Sequence, residues 1–194
     1  MKGFVINCKN STERLRLFRE NQFPFEVEVF EALEGTTPAE RDFVSGLSHL
    51  SILANQTEFP VAVFEDDCVL LEPWSVVEKA MSQLPDNWDA LWLGATLQRP
   101  IKRYSENLYR LIGGHALHAV IYNSKRMVDY MVSHYNAHDF KVLDVLTAYH
   151  AQAEFNCYIT YPIVATQRAC MSDINGRYLD NYNEIINHYN KFVQ

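Results

Sequence analysis

The stretch FPVAVFEDDCVLL, residues 59–71, constrains the fold more than any other part of the chain. Its residues 61–64 are all apolar and predict a strand buried on both faces, which is typical of a sheet covered by helices on each side. Glu65, Asp66 and Asp67 follow at once, with no basic residue beside them. Neighbouring carboxylates repel one another and resist burial unless a positive charge pairs with them. The sequence therefore predicts a cationic partner or ligand for these acids.

Strand-like and helical patterns alternate along most of the chain. Thr37, Pro38 and Glu40 occupy the N-cap, N1 and N3 positions of a predicted helix. Asn10 and Ser124 are expected to cap two further helices, and residues 140–152 are expected to form another. The segments expected to form strands include GFVIN, FEVEVF, DALWLG, LYRLIGG, HALHAVIYN and CYITYPIVA.

This alternation predicts an α/β fold with a mixed central sheet flanked by helices. LYRLIGG and HALHAVIYN are expected to form a strand pair interrupted by glycines, and QRPIKRYSEN is expected to be a loop. The 194 residues contain no repeat or linker, so we expect one domain spanning residues 1–194.

Composition and charge restrict the function classes. Hydrophobic residues make up 48% of the chain, which is too apolar for a disordered protein. A net charge of −7 disfavours a protein that mainly grips nucleic acid and suits one that recruits a cation. The four cysteines form no C-x-x-C pair, and no apolar segment has the length of a signal peptide or a membrane span. These features predict a cytoplasmic protein with reduced thiols and at most peripheral membrane contact.

The acids after the buried strand lie where ligands bind in open α/β sheets, beyond the carboxyl ends of the strands. Carboxylate oxygens suit Mg²⁺ or Mn²⁺, which usually also hold a substrate phosphate. The alternative is a solvated acidic turn that caps the following helix. The chain has no G-x-x-x-x-G-K-[ST], no G-x-G-x-x-G and no complete nucleophile elbow, so P-loop, dinucleotide-binding and serine-hydrolase functions lack sequence support.

Several segments, in order, resemble glycosyltransferase family 25, the lipopolysaccharide-type glycosyltransferases. They are FVINCKNSTERL, GLSHLSIL, VFEDDCVL, DALWLG, HAVIYNSKRM and YPIVATQRACMSDI, and they span nearly the whole chain. The resemblance implies a GT-A fold, a nucleotide-sugar donor, expected to be a UDP-sugar, and a divalent metal. It implies the following roles: metal binding by Asp67, contact with the ribose or a metal-bound water by Glu65, and donor binding by Asn7, Arg14, Ser48, His49 and Asp66.

The remaining site residues are less closely defined by the resemblance. Late candidates for a further metal ligand are Gln167 and Asp173, of which we favour Asp173 because a carboxylate binds a hard ion better than an amide does. Asp144 lies where a GT-A enzyme commonly places its acceptor-side acid, and we expect it to be the catalytic base. His115 follows two glycines, which allow a ligand to approach closely, whereas His118 in its apolar strand fits a structural role better than a catalytic one.

The expected function is therefore metal-dependent transfer of a sugar, galactose or glucose, from a nucleotide-diphosphate donor to a hydroxyl acceptor. The resemblance implies a glycan acceptor, inversion at the anomeric carbon and a place in lipopolysaccharide biosynthesis. One alternative is the same chemistry on a hydroxymethylated base of phage-type DNA, for which the basic and aromatic segment QRPIKRYSENLYR is the only support. Another is a non-catalytic, calcium-dependent binding module that uses the same acids.

Overall fold

The structure is a computed structural model that describes residues 1–136, 140–171, 176 and 178–193; for Cys170 and Met171 it describes the backbone only. Asp173, expected above to bind a metal, lies outside the described residues. The strands are β1 (Lys2–Asn7), β2 (Val27–Glu31), β3 (Val61–Glu65), β4 (Cys68–Leu70), β5 (Ala90–Trp92), β6 (Thr96–Leu97), β7 (Lys102–Arg103), β8 (Leu108–Arg110), β9 (Gly114–His115), β10 (Ala119–Tyr122), β11 (Cys157–Thr160), β12 (Ala165–Gln167), β13 (Cys170–Met171) and β14 (Tyr178–Leu179). The α-helices are α1 (Thr12–Phe18), α2 (Pro38–Ala54), α3 (Trp74–Met81), α4 (Lys125–His134), α5 (Leu143–Leu146), α6 (Gln152–Glu154) and α7 (Asn181–Phe192).

Eight of these strands form one mixed sheet in the order β2-β1-β3-β10-β5-β11-β8-β7. β1 lies parallel to both β2 and β3, whereas β10 runs antiparallel to its neighbours β3 and β5. Three two-stranded ladders, β4–β12, β6–β9 and β13–β14, lie outside this sheet. The mixed α/β architecture predicted from the sequence is confirmed.

Strand β3 is buried on both faces, as its apolar run predicts. Val61 and Val63 join the core cluster that α2 and α4 cover, and Ala62 and Phe64 join the cluster on the other face, which α1 and α3 cover. All four side chains are fully inaccessible to solvent. A strand fixed in this way holds the acids at its end in a defined position.

The helix starts agree only partly with the sequence. Helix α2 has the predicted capping box, in which the Thr37 side chain accepts from the Glu40 N–H and the Glu40 side chain reaches back to the N-cap. Ser124 caps α4 as expected. The prediction for Asn10 is wrong, because α1 begins one residue later with Ser11 at the N-cap, and there Glu13 pairs with Arg16.

The predicted pairing of LYRLIGG with HALHAVIYN is also wrong. Strand β8 from the first segment pairs with β7 and β11, whereas β10 from the second inserts between β3 and β5. Every side chain of β10 is buried, and a strand of this kind is stable only with a neighbour on each edge. The segment expected to be a loop contributes the short strand β7, and residues 140–152 form α5, a π-helical turn at Thr147–Ala151 and the start of α6.

Two further expectations concern cysteines and membranes. Cys68 and Cys157 are buried free thiols, and burial raises the pKa of both. In the ranges that the structure describes, none of the helices combines the length and the apolarity needed to cross a bilayer.

Candidate functional site

The carboxyl ends of two parallel strands bring the first site residues together. The register between β1 and β3 places Ile6 opposite Glu65, so Asn7 lies beside the acids that follow β3. Asn7 donates to Asp66 Oδ2 over 3.2 Å and also to the carbonyl oxygens of Cys8 and Ser11. The Asn7 side-chain nitrogen thus connects the ends of the two strands.

The positive charge predicted beside the acids comes from the first helix. Arg14 on α1, 52 residues before Asp66, forms an ion pair with it, and the same Nη2 lies 3.8 Å from Asp67 Oδ2. Asp66 is only 4% exposed, so this contact is shielded from water. Asp66 therefore anchors Arg14 at the cavity wall, which accounts for one of the three adjacent acids.

The other two acids share a partner from the far end of the chain. Strand β12 pairs antiparallel with β4 and places Gln167 opposite Cys68. Gln167 Nε2 lies 3.1 Å from Glu65 Oε2 and 3.2 and 3.4 Å from the two carboxylate oxygens of Asp67. Its Oε1 accepts from Asn181 Nδ2 over 3.3 Å. A single amide group therefore lies between two carboxylates.

The ionised form of Glu65 is destabilised by this arrangement. Its burial raises the pKa well above the ordinary value, and repulsion by Asp67, Asp144 and Asp66 raises it further, while Arg14 opposes the shift. A cation beside Glu65 would remove this penalty. Arg14 therefore does not fully offset the repulsion that the neighbouring acids exert on Glu65.

Two adjoining cavities meet at these residues. The first, about 400 Å³, runs from Arg14 and the acids to Leu33 and Gly35 in the loop after β2. The second, about 420 Å³, contains Asp144 and His115. The two cavities share four wall residues, Ser45, Glu65, Gln167 and Asn181.

Asp144 is held firmly in the second cavity. Its Oδ1 accepts from the Ala116 N–H over 2.8 Å, and its Oδ2 lies 3.8 Å from His115 Nδ1. Ala116 has a φ of 77°, in the left-handed region that non-glycine residues seldom adopt, and its carbonyl accepts from Trp92 Nε1. Backbone strain of this kind is concentrated at functional sites. Asp144 is thus a fixed carboxylate facing a cavity that also reaches Glu65.

Ser48, expected on the donor side, lies behind the wall of the first cavity, and His49 is a buried residue in the wall of the second. The Ser48 hydroxyl accepts from the Leu33 N–H and donates to the Val44 carbonyl, so it positions the loop that lines the first cavity. His49 lies at the back of the second cavity, 3.0 Å from the Tyr122 hydroxyl, and burial lowers its pKa to about 3. Both side chains support the cavity walls.

His118 is completely buried below the second cavity. Burial lowers its pKa to about 4, and neither ring nitrogen makes a well-formed hydrogen bond to a described residue. Its Nε2 and the Ala165 carbonyl oxygen occupy the space that a Cβ on Gly94 would fill, so glycine is required there. His118 is therefore a neutral packing residue in this structure.

The acids after β3 provide oxygen ligands of the kind that a divalent ion prefers. Within residues 1–136, 140–171 and 178–193, no three His, Cys, Asp or Glu side chains converge as a ready-made metal site. Glu65 and Asp67 nevertheless face each other across one amide, and Mg²⁺ is commonly bound by one or two carboxylates together with substrate phosphates. The carboxylate oxygens and the repulsion of Glu65 by its acidic neighbours fit Mg²⁺ or Mn²⁺.

Several residues of the basic and aromatic segment that supported a DNA acceptor make contacts within the fold. Arg110 donates to the carbonyls of Phe155 and Cys157, and Arg103 donates to its own turn at Ser105. The Tyr104 ring packs edge-on against Tyr158. These contacts belong to the β7–β8 edge of the sheet, four strands away from β3.

Sequence reasoning missed Ser45, Ala116 and Asn181. Ser45 lies one helical turn before His49, so the helical period of α2 would have placed both on one face. Asn181 follows the α7 N-cap Asp180, which the sequence marks only as a helix start. Nothing in the sequence signals the left-handed conformation of Ala116.

No family model matches the chain, and no curated protein is detectably similar to it. Among solved structures, it is similar to A197 from STIV at 12% identity, covering 86% of this chain and 84% of that one with a TM-score of 0.47. It is also similar to the nucleoside-diphosphate-sugar pyrophosphorylase from Vibrio cholerae RC9 at 13% identity, covering 81% and 70% of the two chains with a TM-score of 0.37. At these values neither likeness assigns a family or an activity to this chain.

Proposed function

We propose that this protein is a GT-A-type glycosyltransferase of the family 25 kind, which moves a sugar from a nucleotide-diphosphate donor to a hydroxyl acceptor. The observation that carries the proposal is the pair of adjoining cavities with a common acidic wall. Transfer between two bound molecules needs two sites that meet at the reacting atoms. Glu65 and Gln167 lie where the cavities meet, and a second fixed acid, Asp144, faces only the second cavity.

The first cavity is the donor site in this proposal. Arg14 provides a positive charge for the donor diphosphate, and the loop at Leu33 and Gly35 also lines this cavity. Glu65, Asp67 and Gln167 would hold Mn²⁺ or Mg²⁺. A divalent ion bound there supplies neutralisation of the charge that develops on the departing nucleoside diphosphate.

The second cavity is the acceptor site. Asp144 accepts the proton of the acceptor hydroxyl as that oxygen attacks the anomeric carbon, and the Ala116 N–H keeps the carboxylate in position. Direct attack of this kind inverts the anomeric carbon. We favour a glycan hydroxyl over a DNA base because Arg110 of the basic segment is engaged at the other edge of the sheet.

The experiment is incubation with a panel of nucleotide sugars, UDP-galactose and UDP-glucose first, in the presence of Mn²⁺ and candidate glycan acceptors. Release of nucleoside diphosphate that depends on both the metal and an acceptor supports the proposal. Calcium-preferring carbohydrate binding without any donor turnover would instead identify a binding module. Turnover only on hydroxymethylated DNA would keep the chemistry and change the acceptor.

A further inference from the structure

Gln167 is the side chain in the shared wall whose chemistry is least expected for a metal site. The amide of Gln167 presents its nitrogen to Glu65 and Asp67, whose carboxylate oxygens accept hydrogen bonds. The nitrogen therefore occupies the place between the acids that a divalent ion would take. A bound ion and an amide N–H₂ group cannot share that place.

The amide has a second orientation with a different function. Rotation by half a turn about its last bond places Oε1 between the acids, where it adds a third protein oxygen for a hard cation. Nε2 then faces Asn181, which in the present orientation donates to Oε1 over 3.3 Å. Asn181 has an amide of its own, and the same rotation lets its Oδ1 accept from Gln167 Nε2.

We propose that Gln167 is a two-position ligand, whose Nε2 links Glu65 and Asp67 before the cation binds and whose Oε1 joins the cation afterwards, with Asn181 as the positioning residue for both orientations. The inference rests on the proposed function, because it assumes that the donor brings a divalent ion to these acids. It assigns the further protein ligand to Gln167 and connects the start of α7 to the cation site.

The two orientations predict opposite effects for two substitutions at the same position. Gln167→Met keeps the approximate shape and removes both the hydrogen bonds and the ligand oxygen. Gln167→Glu supplies a ligand oxygen and places a third carboxylate beside two others when no cation is present. Gln22→Glu, at an exposed glutamine that lines neither of the two cavities, is a matched control that adds the same charge elsewhere.

The affinity for Mn²⁺ is measured by calorimetry in the presence of saturating nucleoside diphosphate. We expect Gln167→Met to weaken Mn²⁺ binding by roughly 10-fold or more. Gln167→Glu should strengthen it by about 3-fold or more because the number of charged ligands rises. Gln22→Glu should change it by less than about 3-fold, since a charge at an exposed position outside both cavities is screened by solvent.

Thermal unfolding without cation provides the second readout. Gln167→Glu should lower the unfolding temperature because three carboxylates repel, and Mn²⁺ with nucleotide should restore it. Side-chain amide NMR with Mg²⁺ tests the rotation itself, since the Gln167 N–H₂ signal, assigned by its loss in Gln167→Met, should shift on binding. Asn181→Leu should broaden that signal or shift it before any cation is added.

The outcomes separate this inference from the proposed function. If the parent protein binds Mn²⁺ together with nucleotide and Gln167→Met binds it equally well, the ligand role is wrong and the proposed function stands. An unchanged Gln167 amide signal at saturating Mg²⁺ would likewise overturn the rotation alone. If the parent protein binds no divalent ion with any nucleoside diphosphate, the metal-dependent function and the inference both fail.

Discussion

Two acidic positions lie at opposite ends of parallel strands, the buried Asp89 directly before β5 and the half-buried Glu65 at the end of β3. The Asp89 carboxylate accepts from the Asn156 N–H over 2.7 Å and from Arg126 Nη2 over 3.1 and 3.3 Å. For Glu65 the structure gives one side-chain hydrogen bond, from the Gln167 amide, together with repulsion from other acids. The first carboxylate is satisfied by the fold and the second is not.

The difference teaches that burial of an acid is by itself no indication of function. A buried polar group costs folding free energy unless its partners compensate it, and Asp89 has main-chain and arginine partners that do so. Glu65 lines both cavities and Asp67 lines the first, and the two acids share the neutral amide of Gln167. Acids that the fold leaves undercompensated at a cavity are therefore the candidates for ligand binding.

The largest expected effect is that of Asp67→Ala. Metal-dependent donor binding should be lost, and turnover should fall by at least about 10³-fold, because charge neutralisation by a metal is worth several kcal/mol. The metal-free fold should be as stable as the parent or more stable, since one repulsive charge is gone. Turnover assays with the unfolding curve as control check both statements, and a collapsed fold would return Asp67 to a structural role.

Asp144→Asn tests the acceptor side of the same cavities. Turnover should fall by roughly 10²–10⁴-fold because the amide cannot take the acceptor proton. Binding of the donor should be nearly unchanged, since Asp144 lines only the second cavity. Measuring kcat and donor affinity separately decides the matter: turnover within a few-fold of the parent would contradict the assignment.

Asp89→Ala should give the opposite pattern. The Asn156 N–H loses its acceptor, and the free energy of unfolding should fall by about 2 kcal/mol, as expected for a buried donor left unsatisfied. Arg126→Ala should cost less than about 1 kcal/mol because its side chain is 69% exposed. Denaturant unfolding measures both values, and nucleotide affinity of the folded Asp89→Ala protein should equal that of the parent. A loss of nucleotide affinity would erase the distinction between the two acids.

His49, like Asp89, is expected to affect the stability of the fold. Burial lowers its folded-state pKa to about 3, whereas an unfolded histidine titrates near 6.5. The unfolded chain therefore binds a proton that the folded chain does not, and stability falls as the pH drops below about 6.5. At pH 5 this one group accounts for about 2 kcal/mol. His118, with a pKa of about 4, adds to the same slope.

The substitution that tests this is His49→Gln, which keeps a hydrogen-bonding group for Tyr122. The pH dependence of the free energy of unfolding between pH 7 and 5 should become distinctly shallower. If the free energy of unfolding depends on pH equally in the parent and the variant, the fold does not hold His49 neutral.

The parts of the fold that could be predicted rest on local signals. The apolar run of β3 and the Thr37–Glu40 capping box are each contained within a few residues, and both are confirmed. The predicted pairing of β10 was wrong because it depends on which strands lie at the two edges of β10. No short segment of sequence contains that information.

The candidate site shows the same division. The sequence predicts that acids lie at the end of β3. It does not predict their partners, because Arg14 and Gln167 are distant from these acids along the chain. Gln167 reaches the acids through the β4–β12 ladder. The sequence favoured the carboxylate of Asp173 because nothing in it indicates that the Gln167 amide lies between Glu65 and Asp67. The strain at Ala116 depends on contacts with Asp144 and Trp92 that exist only in the folded chain.

The central claim is that the undercompensated acids after β3 recruit a divalent ion together with a nucleoside diphosphate. Calorimetric titration of UDP into the protein with and without Mn²⁺ tests it directly. The account predicts positive coupling: UDP should bind at least about 10-fold more tightly with Mn²⁺, and Mn²⁺ more tightly with UDP by the same factor. Equal UDP affinity in both conditions would contradict the claim.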